Sequence, residues 1–202
     1  MVQERNQVIR DWLIQHTLEI EKGEIKVFAL DECHLKGGDI CGYGWGNKKQ
    51  RREIEIDNYK KSQTYYGALD FYDGSCILSR QEKADTKATI AFVKQLLALN
   101  EGKKIVLVWD GASYHRSEEW KEFLREINSG EDWKIHCLRF APYAPEENPI
   151  ENLWGQAKQL LRQLHCRCRS FGLTEKIFEL FFRYQLFTMP NLKTYQAFSS
   201  II

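Results

Sequence analysis

Three acidic residues in this 202-residue chain stand where carboxylates do chemistry. Asp31 closes the apolar run VFALD, Asp110 closes a second apolar run, IVLVWD, and Glu151 follows Asn-Pro-Ile at the head of an amphipathic stretch. Side chains at the carboxyl ends of neighbouring strands converge on one crevice in an α/β sheet, and a carboxylate from an adjacent helix completes such a site. Three carboxylates and little else suit a hard cation such as Mg²⁺ or Mn²⁺, which prefers oxygen ligands and keeps several waters. Two such ions about 3.5–4 Å apart activate the attacking oxygen and stabilise the leaving one in phosphodiester cleavage. Asp31 is then the candidate for the carboxylate shared by both ions, with Asp110 and Glu151 each holding one. The same residues have plainer uses: acids are common at strand ends, and an acid in a first helical turn complements the dipole.

Such a site needs a sheet and a helix to hold it. IKVFALDE and KKIVLVWDGA read as buried strands that end in acids. Between them, TYYGALDFYDGSCILS reads as a hairpin turning at Asp73-Gly74. It is preceded by two glycine-rich turns, KGGD and GYGWGN, and by REIEIDNY, which alternates as a strand does. The stretch after Asp85 and Thr86, either of which suits an N-cap, carries Phe92, Val93, Leu96 and Leu97 at helical spacing. Ser117 suits the N-cap of a further helix closed by Gly130, and WKIHCLRF reads as another strand. A proline-punctuated loop, APYAPEENPIE, then runs into NLWGQAKQLLRQL, with Pro149 in the first turn where its missing N–H costs little. An amphipathic helix is expected over 3–20 and a last helix over about 173–187. The order predicts one mixed α/β sheet, an antiparallel meander first and parallel crossover units after it.

Composition sets the outer bounds. Hydrophobic residues are 43% and charged residues 28%, ordinary for a soluble globular chain long enough to bury one substantial core. No apolar run is long enough to span a bilayer, and MVQERNQVIR leads into no secretory core. A cytoplasmic setting without a membrane partner is expected. The six cysteines show neither an export signal nor a framework spacing, so reduced thiols are expected, and HCRC lacks the second pair that a zinc site needs. The net charge of +1 does not mark a nucleic-acid binder, but two local runs are basic: Lys48, Lys49, Arg51 and Arg52, and the stretch 158–169. Each also reads as a solvated surface.

The strings LDECH, VLVWDGASYH and FAPYAPEENPIENLWGQAK, in that order, resemble the DDE transposases of the mariner superfamily, and in particular their bacterial insertion-sequence branch. The resemblance covers about 25–164. It implies a ribonuclease H-like α/β fold, a mixed five-stranded sheet flanked by helices, over 23–170, with 1–22 a linker helix and 171–202 a C-terminal helix and tail. It also implies that Asp31, Asp110 and Glu151 bind two Mg²⁺ (or Mn²⁺) ions. Glu32 and His34 follow the first acid as in the family's D-E-x-H string, His115 matches the histidine beyond the second, and Asn148 opens N-P-I-E. Glu32, His115 and Asn148 are therefore candidates for supporting the ligands, while His34 reads equally as packed and Trp154 as core packing that fixes the helix. Forty residues separate Asp110 from Glu151, more than is typical of the family, and NSGEDWK at 128–134 is the expected place of the extra loop. Gly111 stands where the family often has Asn; neither departure removes a ligand.

The function implied is cut-and-paste transposition: cleavage at transposon ends, then attack of the freed 3′-hydroxyl on target DNA, by resemblance at a TA dinucleotide. Family members carry helix-turn-helix DNA-binding domains ahead of the catalytic domain, and few residues precede the first strand here. End recognition is thus expected from a separate or missing N-terminal domain, the chain being a fragment or half of a split reading frame. A homodimer across two DNA ends is a further implication. Lys158 and Arg162, seven and eleven residues beyond Glu151, fall near one helix face and are candidates for phosphate contact, or simply its solvated side. Trp45 could stack on a base or plug a sheet edge, and Lys48, Lys49, Arg51 and Arg52 beyond it could grip the DNA backbone. Two other readings stand beside this one: a ribonuclease H-like nuclease that hydrolyses without joining, and an inactive DNA-binding remnant.

Overall fold

Apolar residues on both faces of β1 (Ile25–Lys36) make it the central strand of a five-stranded sheet. The computed structural model describes residues 2–41, 60–110, 117–142, 144 and 147–188. On one side β1 pairs antiparallel with β2 (Ser62–Asp70), which returns through a turn holding Gly74 at φ 69° into β3 (Cys76–Gln81). On its other side it pairs parallel with β4 (Lys104–Trp109), and β4 pairs parallel with β5 (Ile135–Arg139). The strand order β3-β2-β1-β4-β5 is the expected meander followed by parallel crossovers. Helices α3 (Thr86–Leu99) and α4 (Glu118–Ile127) make the two crossovers. Each is capped as its sequence suggests: the Asp85 carboxylate accepts the Ala88 N–H at 2.9 Å, and the Ser117 hydroxyl accepts the Trp120 N–H at 3.2 Å.

Strand alternation divides the core. Even-numbered Phe28 and Leu30, with Tyr66, Ile105, Leu107 and Trp109, meet Phe92, Val93, Leu96, Trp120 and Phe123 of α3 and α4. Odd-numbered Ile25, Val27, Ala29, Cys33 and Leu35, with Tyr65, Val106 and Val108, meet the other helices. These are α5 (Pro149–Gln163), α6 (Phe171–Arg183) and the two N-terminal helices α1 (Val2–Gln15) and α2 (Thr17–Glu21). Ile9, Leu13 and Ile20 share one cluster with Phe178, Phe181 and Phe182, so both terminal segments are built into the same core as the sheet.

Several details differ from expectation. The single helix expected over 3–20 divides at His16, whose Nδ1 bonds the Trp12 carbonyl at 2.8 Å while the Thr17 hydroxyl donates to the Leu13 and Ile14 carbonyls. Local side-chain bonds of this kind compete with the helical ladder. KGGD forms a 3₁₀ helix, Gly37–Ile40, with the Asp39 carboxylate accepting the Lys36 N–H at 2.8 Å. The chain returns to the sheet beside its exit, where the Gly37 N–H donates to the Lys61 carbonyl at 2.9 Å. The extra loop at 128–134 closes on Asn128, whose Oδ1 accepts the N–H groups of Lys134 and Ile135. The glycine-rich turn at 42–47 and the strand expected over 52–59 lie outside the described residues. All six cysteines are free thiols, and no described helix is long and apolar enough to cross a membrane.

Truncating the core at either terminal helix tests this unity. Ile9→Ala and Phe178→Ala should each cost about 2–5 kcal/mol of stability, the range for large-to-small changes at fully buried sites. Urea unfolding followed by fluorescence would register both losses in one cooperative transition. An Ile9→Ala protein as stable as the parent would mean that α1 is not part of the core.

Candidate active site

Register brings the first two acids together. The parallel ladder between β1 and β4 ends with Ala29 opposite Val108, and two more residues along each strand lead to Asp31 and Asp110. Both fall on the odd-β1, even-β4 face, the face covered by α5. Asp31 does not end its strand, as the sequence suggested; β1 continues to Lys36 because β2 pairs with it from Phe28 to Lys36. It stands instead where the sheet loses its parallel neighbour and opens on that side. Asp110 is exposed, one residue past the end of β4.

Glu151 is brought in by the start of α5. Asn148 caps this helix, its side chain accepting the Ile150 N–H at 3.4 Å and its carbonyl accepting the Glu151 N–H at 3.1 Å, and Pro149 occupies the first position. Ahead of the cap, the Asn6 amide donates to the Glu147 carboxylate at 2.6 Å, tying α1 to the loop that enters α5. Ile150, Leu153, Trp154, Ala157 and Leu161 form the buried stripe, which leaves Glu151 exposed beside the sheet.

Charge couples the three acids. Burial holds the Asp31 carboxyl well above the usual range, the negative charges of Glu151 and Glu32 raise it further, and the Trp154 indole N–H pulls it back. Glu151 is also raised, first by desolvation, with Lys158 opposing and Asp110 adding. The acids thus stand near enough to perturb one another, and their like charges resist closer approach. Among the described residues, no three acidic, histidine or cysteine side chains close into a preformed ion cage. As a donor set they fit a hard divalent cation: every group is a carboxylate oxygen, and the repulsion among them is relieved when a cation sits between them.

Beside Glu151 lies a crevice of about 320 Å³ lined by Cys33, His34, Glu151, Trp154 and Lys158 among others. Lys158 Nζ lies 3.3 Å from Asp39 Oδ2, and Arg162 Nε donates to the Cys41 carbonyl at 3.1 Å. The charge of Lys158 acts on Glu151, and both basic residues fasten α5 to the segment that leaves β1. Glu32 turns to the opposite face, where Tyr66 lies opposite in register and on the α3 side of the sheet. His34 Nδ1 bonds the Thr64 hydroxyl at 3.0 Å. His115, Trp45, Lys48, Lys49, Arg51 and Arg52 lie outside the described residues.

Two contacts at the site were not anticipated. The Trp154 Nε1–H donates to Asp31 Oδ2 at 3.0 Å, and its ring covers Gly67, the residue opposite Asp31 on β2. A signal existed for each: a buried indole N–H needs an acceptor, and a glycine inside the aromatic strand TYYGALDFY marks a close approach by another group.

A raised carboxyl pKa has a definite consequence for stability. The folded chain holds a proton on Asp31 that the unfolded chain has already released, so stability falls as pH rises through the ordinary carboxylate range toward the raised value, and stays lower above it. In chelator-treated buffer at neutral pH, Asp31→Asn should therefore melt at a higher temperature than the parent. The advantage should vanish below about pH 4, near the unperturbed aspartate value. Melting curves across pH check this, and a destabilised Asp31→Asn at neutral pH would contradict it.

The family described as DDE superfamily endonuclease matches residues 26–171. No curated protein sequence matches the chain. Among solved structures, the Mos1 transposase paired-end complex with the left transposon end is similar at TM-score 0.61 and 13% identity, over 98% of this chain and 58% of that one. The Mos1 mariner paired-end complex with Mn gives 0.56 and 15%, over 98% and 58%. The catalytic domain of Mos1 mariner transposase gives 0.59 and 13%, over 98% and 90%. The chain thus spans less than three-fifths of the Mos1 chain in those complexes and nine-tenths of its catalytic domain.

Proposed function

This chain belongs to the DDE superfamily endonucleases and has the ribonuclease H-like fold of the mariner-type transposase catalytic domain, and we propose that it performs the cutting and joining of DNA strands in transposition. The observation that carries the proposal is the convergence of Asp31, Asp110 and Glu151 from β1, the end of β4 and the start of α5 onto one face of the sheet.

Asp31, Asp110 and Glu151 would hold two Mg²⁺ or Mn²⁺ ions, with Asp31 the ligand common to both; a Mos1 paired-end complex is known with Mn. When bound, the ions supply activation of the attacking oxygen and stabilisation of the leaving one. The chain's own residues present the carboxylates, whose mutual repulsion in a half-buried setting a bound cation would relieve. Lys158, whose charge acts on Glu151, sits where a phosphate beside the acids would be met, and Arg162 lies one helical turn further on. In the first reaction water attacks a phosphodiester at the transposon end and frees a 3′-hydroxyl. In the second that hydroxyl attacks target DNA, one phosphodiester replacing another, so no high-energy cofactor is required. Binding both partners in line would lower the barrier further by orientation.

The finer parts of the reading follow from the likeness to mariner-type proteins. They are a TA target, a bacterial and cytoplasmic setting, a helix-turn-helix module for end recognition, and a homodimer that joins two DNA ends.

Supercoiled plasmid incubated with the chain and Mg²⁺ or Mn²⁺ should be nicked. Asp31→Ala, Asp110→Ala and Glu151→Ala should each lose at least about a hundredfold, as several kcal/mol of metal stabilisation implies. Labelled transposon-end oligonucleotides would report joining. Nicking that all three variants retain would refute the three-acid site, and nicking without joining would leave a nuclease.

A further inference from the structure

The Trp154 ring is held on three sides. Gly67 lies beneath it, Phe182 stands 5.1 Å away by ring centroids and Phe178 stacks at 6.2 Å. Gly67 is the cross-strand partner of Asp31, so any side chain at 67 would occupy the same face as the carboxylate. A β-carbon there would stand 2.7 Å from Trp154 Cζ2, closer still to Cη2, and 2.7 Å from Ile150 Cδ1. Only glycine leaves room for an indole beside this aspartate. The ring is nearly fully buried and its N–H, a donor with no acceptor capacity, meets Asp31 Oδ2 at 3.0 Å.

We propose that Trp154 is a positioning residue for Asp31, its indole N–H fixing the carboxylate in the orientation that receives the divalent cation, and that Gly67 is the gap through which it reaches. The inference rests on Asp31 being a metal ligand, and it assigns to Trp154 and Gly67 a task beyond filling the core. The bond joins α5, which carries Glu151, to β1, which carries Asp31, so the two ligands are set relative to each other by one contact. A neutral donor holds a carboxylate without placing a positive charge where the cation would sit, as a lysine there would. And groups that orient a metal-ligating carboxylate from behind typically matter to affinity by roughly 10- to 100-fold.

Titration calorimetry with Mn²⁺ on the full chain tests this, alongside metal-free melting. Trp154→Phe keeps an aromatic ring over Gly67 and removes only the donor; it should still melt in a single cooperative transition without metal and bind Mn²⁺ roughly 10- to 100-fold more weakly. Gly67→Ala, which retains the indole but pushes it off the strand, should reproduce the weakening. A measurement independent of either variant is the Trp154 indole N–H resonance, which should move on adding Mg²⁺ to the parent and stay still in Asp31→Asn. If Trp154→Phe binds Mn²⁺ as tightly as the parent while Asp31→Asn binds none, the positioning role is refuted and the metal site stands. If the parent itself binds no Mn²⁺, the metal-site reading fails and this inference falls with it.

Discussion

A negatively charged carboxylate set into the middle of a sheet is costly, and the architecture around Asp31 is the set of terms on which the fold tolerates it. Removing a carboxylate from water disfavours its charged form, and two neighbouring acids add repulsion. The protein offsets this only in part, with the indole N–H of Trp154 and the backbone N–H of Glu32. A fully compensated aspartate, such as one paired with an arginine, would be stable and inert. The residual deficit is one that a cation would relieve, so in the proposed site the cost to the fold and the affinity for metal would be two sides of one quantity.

The rest of the architecture serves that position. β4 stops pairing with β1 two residues short of Asp31, which opens the sheet on the side where Asp110 emerges. β2 continues alongside, so the strand stays straight and the aspartate stays on the α5 face. α5 lies across this opening with its apolar stripe on the sheet, capped by Asn148 at the end that carries Glu151. The α1 helix reaches the same region through the bond from Asn6 to Glu147, so N-terminal packing and site geometry are not independent.

Much of this was legible in the chain because it is written in local pattern. Apolar runs ending in Asp31 and Asp110, the Asp-Gly hairpin, and Asp85, Ser117 and Pro149 at helix starts all act within a few residues of themselves. What escaped depends on partners far away in sequence. Asp31 sits inside its strand because β2 extends the ladder, which no property of VFALD determines. Trp154 meets an acceptor 123 residues earlier, and Arg162 an acceptor 121 residues earlier, so helix periodicity could put them on a face without saying what they touch. Glu32 illustrates the converse: adjacency to Asp31 in a motif means, in a strand, the opposite face.

The fastening of α5 to the exit of β1 has a consequence for how such a protein can change. Arg162 grips the Cys41 carbonyl where the chain departs, and Gly37 meets Lys61 where it comes back, so departure and return are pinned side by side on the wall of the site. Trp154 and Arg162 lie eight residues apart, about 12 Å along the helix axis, so α5 is fixed to β1 and to its exit at two separated points. A helix held at two points does not pivot about either of them. However the sequence of this scaffold drifts, a displacement at the Arg162 end of α5 is therefore felt at its other end, where Glu151 stands.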